Sequence, residues 1–139
     1  MQNEQIFPPD LTIKIEIIKN RIYIMDPSPI HQEILGMIYT YINMFVIQNK
    51  LGKVYPAPIS VKIDENTVLK PDIVYLSVRK SSFLTNKGIE GGSPDIVVEV
   101  ISKANYKKLR NLKKQIYGLS SFFGGREKGD GAIVCFRRF

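Results

Sequence analysis

Within Asp95-Ile-Val-Val-Glu-Val-Ile101 one carboxylate, Glu99, stands in a run of β-branched residues. An unpaired ionised group in such a setting is costly, so something must compensate it. Strand alternation puts Asp95, Val97, Glu99 and Ile101 on one face and Ile96, Val98 and Val100 on the other, so Glu99 looks toward whatever covers the first. A second carboxylate, Asp72, ends Lys70-Pro71-Asp72 and stands at the mouth of a β-rich stretch, Ile73 to Val78. If the two strands are neighbours, the carboxylates converge on a site for a hard cation. Mg²⁺ takes one or two carboxylates with waters and phosphate oxygens, and can then polarise the phosphate and activate water. The plainer alternatives are a buried ion pair between Glu99 and a Lys or Arg, and Asp72 as a turn residue.

A lysine completes the set. Leu109, Leu112, Ile116 and Leu119 recur at steps of three and four and predict an amphipathic helix from Lys103 to about Tyr117. At about 100° per residue, Lys113 falls on the border of that stripe and Lys114 on the solvated side. Lys113 can run its stem along the core, pair with Glu99, orient a water or stabilise charge on the phosphate; alternatively it is a solvated lysine. His31 and Gln32 fall in the first turn of another predicted helix, where anions are favoured and imidazolium is not. They could bind phosphate or position water, or be ordinary surface residues. Glu16, on the polar face of a first strand, is either a third carboxylate or simply exposed.

The elements that must hold these residues are legible. Leu11, Ile13, Ile15 and Ile17 alternate with Thr12, Lys14 and Glu16, which predicts a strand with the isoleucine face buried. Lys19-Asn20 reads as a turn into a second strand, Arg21 to Met25, giving a hairpin. Ser28 as cap and Pro29 as first residue predict a helix with Ile34, Leu35, Ile38, Ile42, Phe45 and Val46 along its buried stripe, ending near Lys50 with Gly52 as the stop. Val54 to Ile63 alternates again, but Pro56 and Pro58 confine it to an edge or a bulge. Asp64-Glu65-Asn66 is a turn, and Arg79 to Pro94 reads as a loop.

The chain has 139 residues, enough for one compact core, so a single domain is expected over 1–139. No apolar run approaches the roughly 20 residues of a bilayer span. Met1 to Asp10 lacks a secretory signal, and the lone Cys135 has no partner for a disulfide or a zinc site. A cytoplasmic protein with no membrane partner is the expectation. Residues 1–102 carry ten basic and eleven acidic groups, whereas 103–139 carry ten and two, so the whole net charge of +7 lies in the last quarter. Such a localised field suits DNA, whose binding is driven by counterion release, although a solvated helix face with a basic tail would look the same.

Taken together, Glu16-Ile-Ile-Lys-Asn-Arg-Ile-Tyr23, Pro27-Ser-Pro-Ile-His-Gln32, Lys70-Pro-Asp72, Gly88-Ile-Glu-Gly91, Pro94-Asp-Ile-Val-Val-Glu-Val-Ile-Ser102 and Lys113-Lys-Gln-Ile-Tyr117 resemble the Uma-type endonuclease family of the PD-(D/E)XK restriction-endonuclease-like superfamily. The resemblance covers roughly residues 11–117. It implies an α/β fold, a restriction-endonuclease-like mixed β-sheet flanked by α-helices with an N-terminal β-hairpin. It also implies Asp72 and Glu99 as ligands of Mg²⁺ or Mn²⁺, and DNA as substrate. The superfamily lysine, two residues after the Glu, is replaced here by Ile101; in this family it falls on Lys113. Glu16, His31 and Gln32 map near the same pocket. Leu109 stands where the family commonly has an Asp, and 118–139 is atypical, with Ala132-Ile-Val-Cys-Phe136 as the candidate replacement for a family strand. The expected activity is metal-dependent phosphodiester hydrolysis. The rival readings are an inactive nucleic-acid-binding module on the same fold and an interaction protein whose Glu99–Lys113 pair only packs. A homodimer is left open.

Overall fold

The computed structural model describes residues 14–25, 28–101, 112 and 133–138. Strands β1 (Lys14–Ile18) and β2 (Arg21–Met25) form the expected hairpin. Lys19 and Asn20 both adopt left-handed backbone, at φ 49° and 61°, as a two-residue turn matched to strand twist requires. Helix α1 (Pro29–Gln48) starts as its sequence predicts: the Ser28 hydroxyl accepts from the His31 N–H at 3.2 Å and Pro29 opens the first turn.

The remaining strands are β3 (Gly52–Pro56), β4 (Val61–Asp64), β5 (Thr67–Leu69), β6 (Ile73–Ser77), β7 (Leu84–Thr85), β8 (Gly88–Ile89), β9 (Ile96–Ile101) and β10 (Ile133–Arg138). They divide between two sheets. The first is mixed and six-stranded, in the order β2-β1-β5-β4-β8-β7, with β4 and β8 parallel. The second is antiparallel, in the order β10-β9-β6-β3. The fold is thus mixed α/β with an N-terminal hairpin.

Burial shows how the layers stack. Val74, Leu76 and Val97 of the second sheet meet Ile18, Val61, Leu69 and Ile89 of the first, forming one core between the sheets. Ile73, Val98 and Val100 point the other way and, with Val54, pack on Leu35 and Val46 of α1. Strands β6 and β9 are therefore buried on both faces, which is why their sequences are nearly continuous apolar runs. Leu112, helical and half-buried, packs on the core between the sheets.

Several expectations need correction. The faces of β1 are reversed: Glu16 and Ile18 are buried and Ile17 is exposed. Ile22 and Ile24, paired with Ile17 and Ile15, are exposed as well, so apolar character did not mark the inward side. Val54 to Ile63 is two strands in two different sheets, with Pro56 and Pro58 at the break and β3 on an edge. The left-handed residue after α1 is Lys50, at φ 53°, and Gly52 has another reason to be glycine: a Cβ there would collide with the Leu76 carbonyl oxygen across the sheet. Phe45 is exposed, on the outward side of α1. The stretch Arg79 to Pro94 contains a 3₁₀ turn, Val78–Phe83, and the small β7–β8 hairpin. The short β5 after the Asn66 turn went unread. The atypical C-terminal segment does supply a strand, β10, against β9. The helix expected from Lys103 to Tyr117 lies, except for Leu112, outside the described residues, as do Leu11 to Ile13.

Candidate active site

The β6–β9 ladder pairs Tyr75 with Ile96, Val74 with Val97 and Ile73 with Val98. The pairing stops there, and Asp72 and Glu99 are the next residue of each strand beyond that last pair. Asp72 is 2% exposed and Glu99 4%. Both are carried inside by neighbours that are themselves core: Ile73 and Val74 follow Asp72, and Val98 and Val100 flank Glu99. Glu99 lies on the Val97 face of β9, toward the layer between the sheets.

Beyond Ile73 the ladder gives way to side chains. The Val100 N–H donates to Asp72 Oδ2 at 2.7 Å, and the Val100 carbonyl lies 2.8 Å from His31 Nε2. A carbonyl can only accept, which assigns the ring proton to Nε2. The same nitrogen is 3.3 Å from Asp72 Oδ2. His31 is in reach because it sits in the first turn of α1, which packs on the Val98 and Val100 face of β9, the face opposite to that of Glu99.

Glu16 joins from the other sheet. It is fully buried, and its Oε1 accepts the Lys70 N–H at 2.8 Å. Lys70-Pro71-Asp72 is thereby held at one end by Glu16 and at the other by Val100, while the Asp72 carbonyl accepts from the Ala57 N–H at 2.8 Å. The buried Pro71 has no N–H to leave unsatisfied there.

Of the six residues singled out in the sequence, Asp72 and His31 meet on Val100, Glu16 holds the Lys70 end of the same loop, and Glu99 is buried on β9 as the neighbour of Val100. Gln32 is exposed; its backbone N–H donates to the Ser28 carbonyl at 3.1 Å. Lys113 lies outside the described residues. Sequence reading missed Val100, whose backbone groups join Asp72 to His31, and the Lys70 amide. Main-chain contacts leave no residue-type signal. For Glu16 a signal existed: it stands two residues before Ile18, in register for the same face.

A different cluster occupies the start of β9. Asp95 Oδ2 accepts the Ser77 N–H at 2.8 Å, and Oδ1 lies 3.3 Å from Lys80 Nζ, which donates to the Ser93 carbonyl at 3.1 Å. Burial alone would push the Asp95 carboxyl up, but hydrogen bonds from the Ser77 backbone and hydroxyl, together with the Lys80 ammonium, outweigh it and hold the carboxyl below its ordinary range. Tyr75, whose hydroxyl donates to the Leu51 carbonyl at 3.0 Å, is pushed up by burial and by the nearby Asp95 charge. This cluster ties the 3₁₀ turn to the sheet, at the end of β9 away from Glu99.

Among the described residues no group of three or more His, Cys, Asp or Glu side chains converges as a metal cage. Two carboxylates are the set that suits Mg²⁺ when waters and phosphate oxygens complete its shell, so Asp72 and Glu99 fit that ion by donor chemistry. No helix among the described residues is long and apolar enough to cross a membrane.

No curated protein matches the chain. A family model, Uma2, described as "Putative restriction endonuclease", matches residues 5–121. That span includes Glu16, His31, Gln32, Asp72, Glu99 and Lys113 and stops short of β10. With most of its length so matched, the chain belongs to the Uma2 restriction-endonuclease family.

Proposed function

We propose that the chain hydrolyses phosphodiester bonds of DNA, with Asp72 and Glu99 as ligands for Mg²⁺ or Mn²⁺. The observation that supports this reading is the burial of two carboxylates, Asp72 and Glu99, each one residue beyond the last pair of β6 and β9. When bound, the cation supplies Lewis-acid polarisation of the phosphate and a more acidic water. The chain's own residues supply placement. The Val100 N–H fixes the Asp72 carboxylate, and a carboxylate can accept several partners at once. His31 Nε2–H holds the Val100 carbonyl and braces Asp72 from the side of α1. Glu16 anchors the Lys70 amide and so the loop that delivers Asp72. Lys113 directly follows Leu112, which packs on the core that Val97 joins, and is the proposed source of positive charge for the phosphate. The basic excess in residues 103–139 supplies attraction for the DNA backbone.

The test is cleavage of supercoiled plasmid with Mg²⁺ or Mn²⁺ and with EDTA, alongside calorimetric metal titration, for the wild type, Asp72→Asn and Glu99→Gln. The expected result is metal-dependent nicking that both substitutions abolish, with metal binding weakened. Folded Asp72→Asn protein that cut at the wild-type rate would remove the site assignment. DNA binding without cleavage would favour an inactive binding module. Neither metal nor DNA binding would leave the carboxylates a packing role.

A further inference from the structure

Helix α1 has two apolar sides. Leu35 and Val46, with Ile34, Ile38, Tyr39 and Ile42, pack on the second sheet. On the outward side Ile30, Met37, Tyr41, Met44, Phe45 and Ile47 are each more than half exposed. Their order is regular. Ile30, Met37 and Met44 recur every seven residues, and Tyr41 stands four after Met37 and three before Met44. Alternating steps of three and four make a straight seam along a helix, the pattern by which one helix meets another along its length.

The size and charge of this face identify its occupant. The six side chains expose on the order of 700 Å², above the roughly 300–600 Å² of the largest patch on a typical monomer and near the roughly 800 Å² per partner of a stable interface. Within α1 there is no Lys or Arg, and Glu33 is the only acidic residue. A heterologous helix is selected by charges flanking the seam, and α1 offers almost none. A seam whose one charge per copy is Glu33 instead suits its own copy across a two-fold axis.

We infer that the outward face of α1 is a self-association surface, occupied by α1 of a second copy of this chain running antiparallel. Antiparallel pairing separates the two Glu33 carboxylates and opposes the helix dipoles, whereas parallel pairing would bring like charges together. It centres the axis between Met37 and Tyr41, so that each Tyr41 ring meets the other copy's Met37 sulfur, a favourable contact. This inference does not depend on nuclease activity.

Sedimentation equilibrium of the full chain over the micromolar range tests it. The wild type is expected at twice the monomer mass, and Tyr41→Lys with Met44→Lys at the monomer mass with an unchanged circular dichroism spectrum. In a Cys135→Ser background, mixing Met37→Cys with Tyr41→Cys should give a disulfide-linked heterodimer on mild oxidation in preference to either homodimer. That readout also serves if the lysine variant fails to fold. A wild type that stays monomeric, a dimer indifferent to the lysines, or preferential Tyr41→Cys homodimers would each overturn the inference. A monomer whose Met37 and Met44 resist oxidation would assign the cover to another part of the same chain, and would overturn it too.

Discussion

His31 and Asp72 meet on a single residue of β9: Nε2 lies 2.8 Å from the Val100 carbonyl, Oδ2 lies 2.7 Å from the Val100 N–H, and the two side chains are 3.3 Å apart. A residue in an antiparallel strand directs both backbone groups toward the same neighbour. Here that neighbour ends at Ile73, and two side chains take over its hydrogen bonds. The end of the β6–β9 ladder and the candidate site are therefore one construction.

Replacing His31 should loosen this end of the sheet. His31→Ala leaves the Val100 carbonyl without its imidazole donor, a loss of about 1–3 kcal/mol for a group out of contact with water. Urea denaturation should register that drop, and amide exchange at Val100 should quicken relative to Val97. Unchanged stability and exchange would mean that the contact holds nothing in place.

Glu16 should act through the Lys70 amide. Glu16→Gln keeps an acceptor for that N–H and should cost little, whereas Glu16→Ala leaves it buried without one and should cost about 1–3 kcal/mol. Equal losses in thermal or urea melts would show that the negative charge, and not the hydrogen bond, is what β1 contributes.

Asp95 predicts a pH dependence. Its carboxyl is held below the ordinary range in the folded protein, so it binds a proton less readily there than in the unfolded chain. The sign follows: its contribution is present above the unfolded pKa of about 3.9 and is lost as pH falls through the lower folded value. The stability gap between the wild type and Asp95→Asn, from urea melts at successive pH values, should be constant near neutrality and shrink in acid. A gap that widened in acid would contradict the assigned direction.

Lys113 and Lys114 should separate in kinetics. Leu112 packs inward, and the spacing of Leu109, Leu112, Ile116 and Leu119 predicts Lys113 on the border of the apolar stripe and Lys114 on the solvated side. In single-turnover cleavage at saturating DNA, Lys113→Ala should lose orders of magnitude in rate with metal binding retained, and Lys114→Ala should lose little. A larger loss for Lys114→Ala would reverse the register of this helix. Equal small losses would deny either lysine a catalytic part.

Sequence reading succeeded where one residue type has one good use. Ser28-Pro29 opened α1 because a hydroxyl cap and a fixed φ suit only that end of a helix. Glu99 stood out because a carboxylate in a β-branched run demands an explanation, and both it and Asp72 are indeed buried. Reading failed where apolarity stopped discriminating. Ile15 and Ile17 look like a core face, yet β1 turns Glu16 and Ile18 inward, where Glu16 accepts the Lys70 N–H. Phe45 misled in the same way, since α1 is apolar on two sides. The Val100 contacts were beyond reach, being made by main-chain atoms that every residue shares.

Strand β3 ends the second sheet, with β6 on one side and no strand among the described residues on the other. An open margin of that kind is a template on which a foreign strand could dock and a fibre could grow. Two of its five residues resist this: Pro56 has no N–H to offer an incoming strand, and the exposed Lys53 would have to meet its own charge in a stack of identical copies. The margin that a crowded solution would otherwise exploit is thus poorly suited to polymerisation.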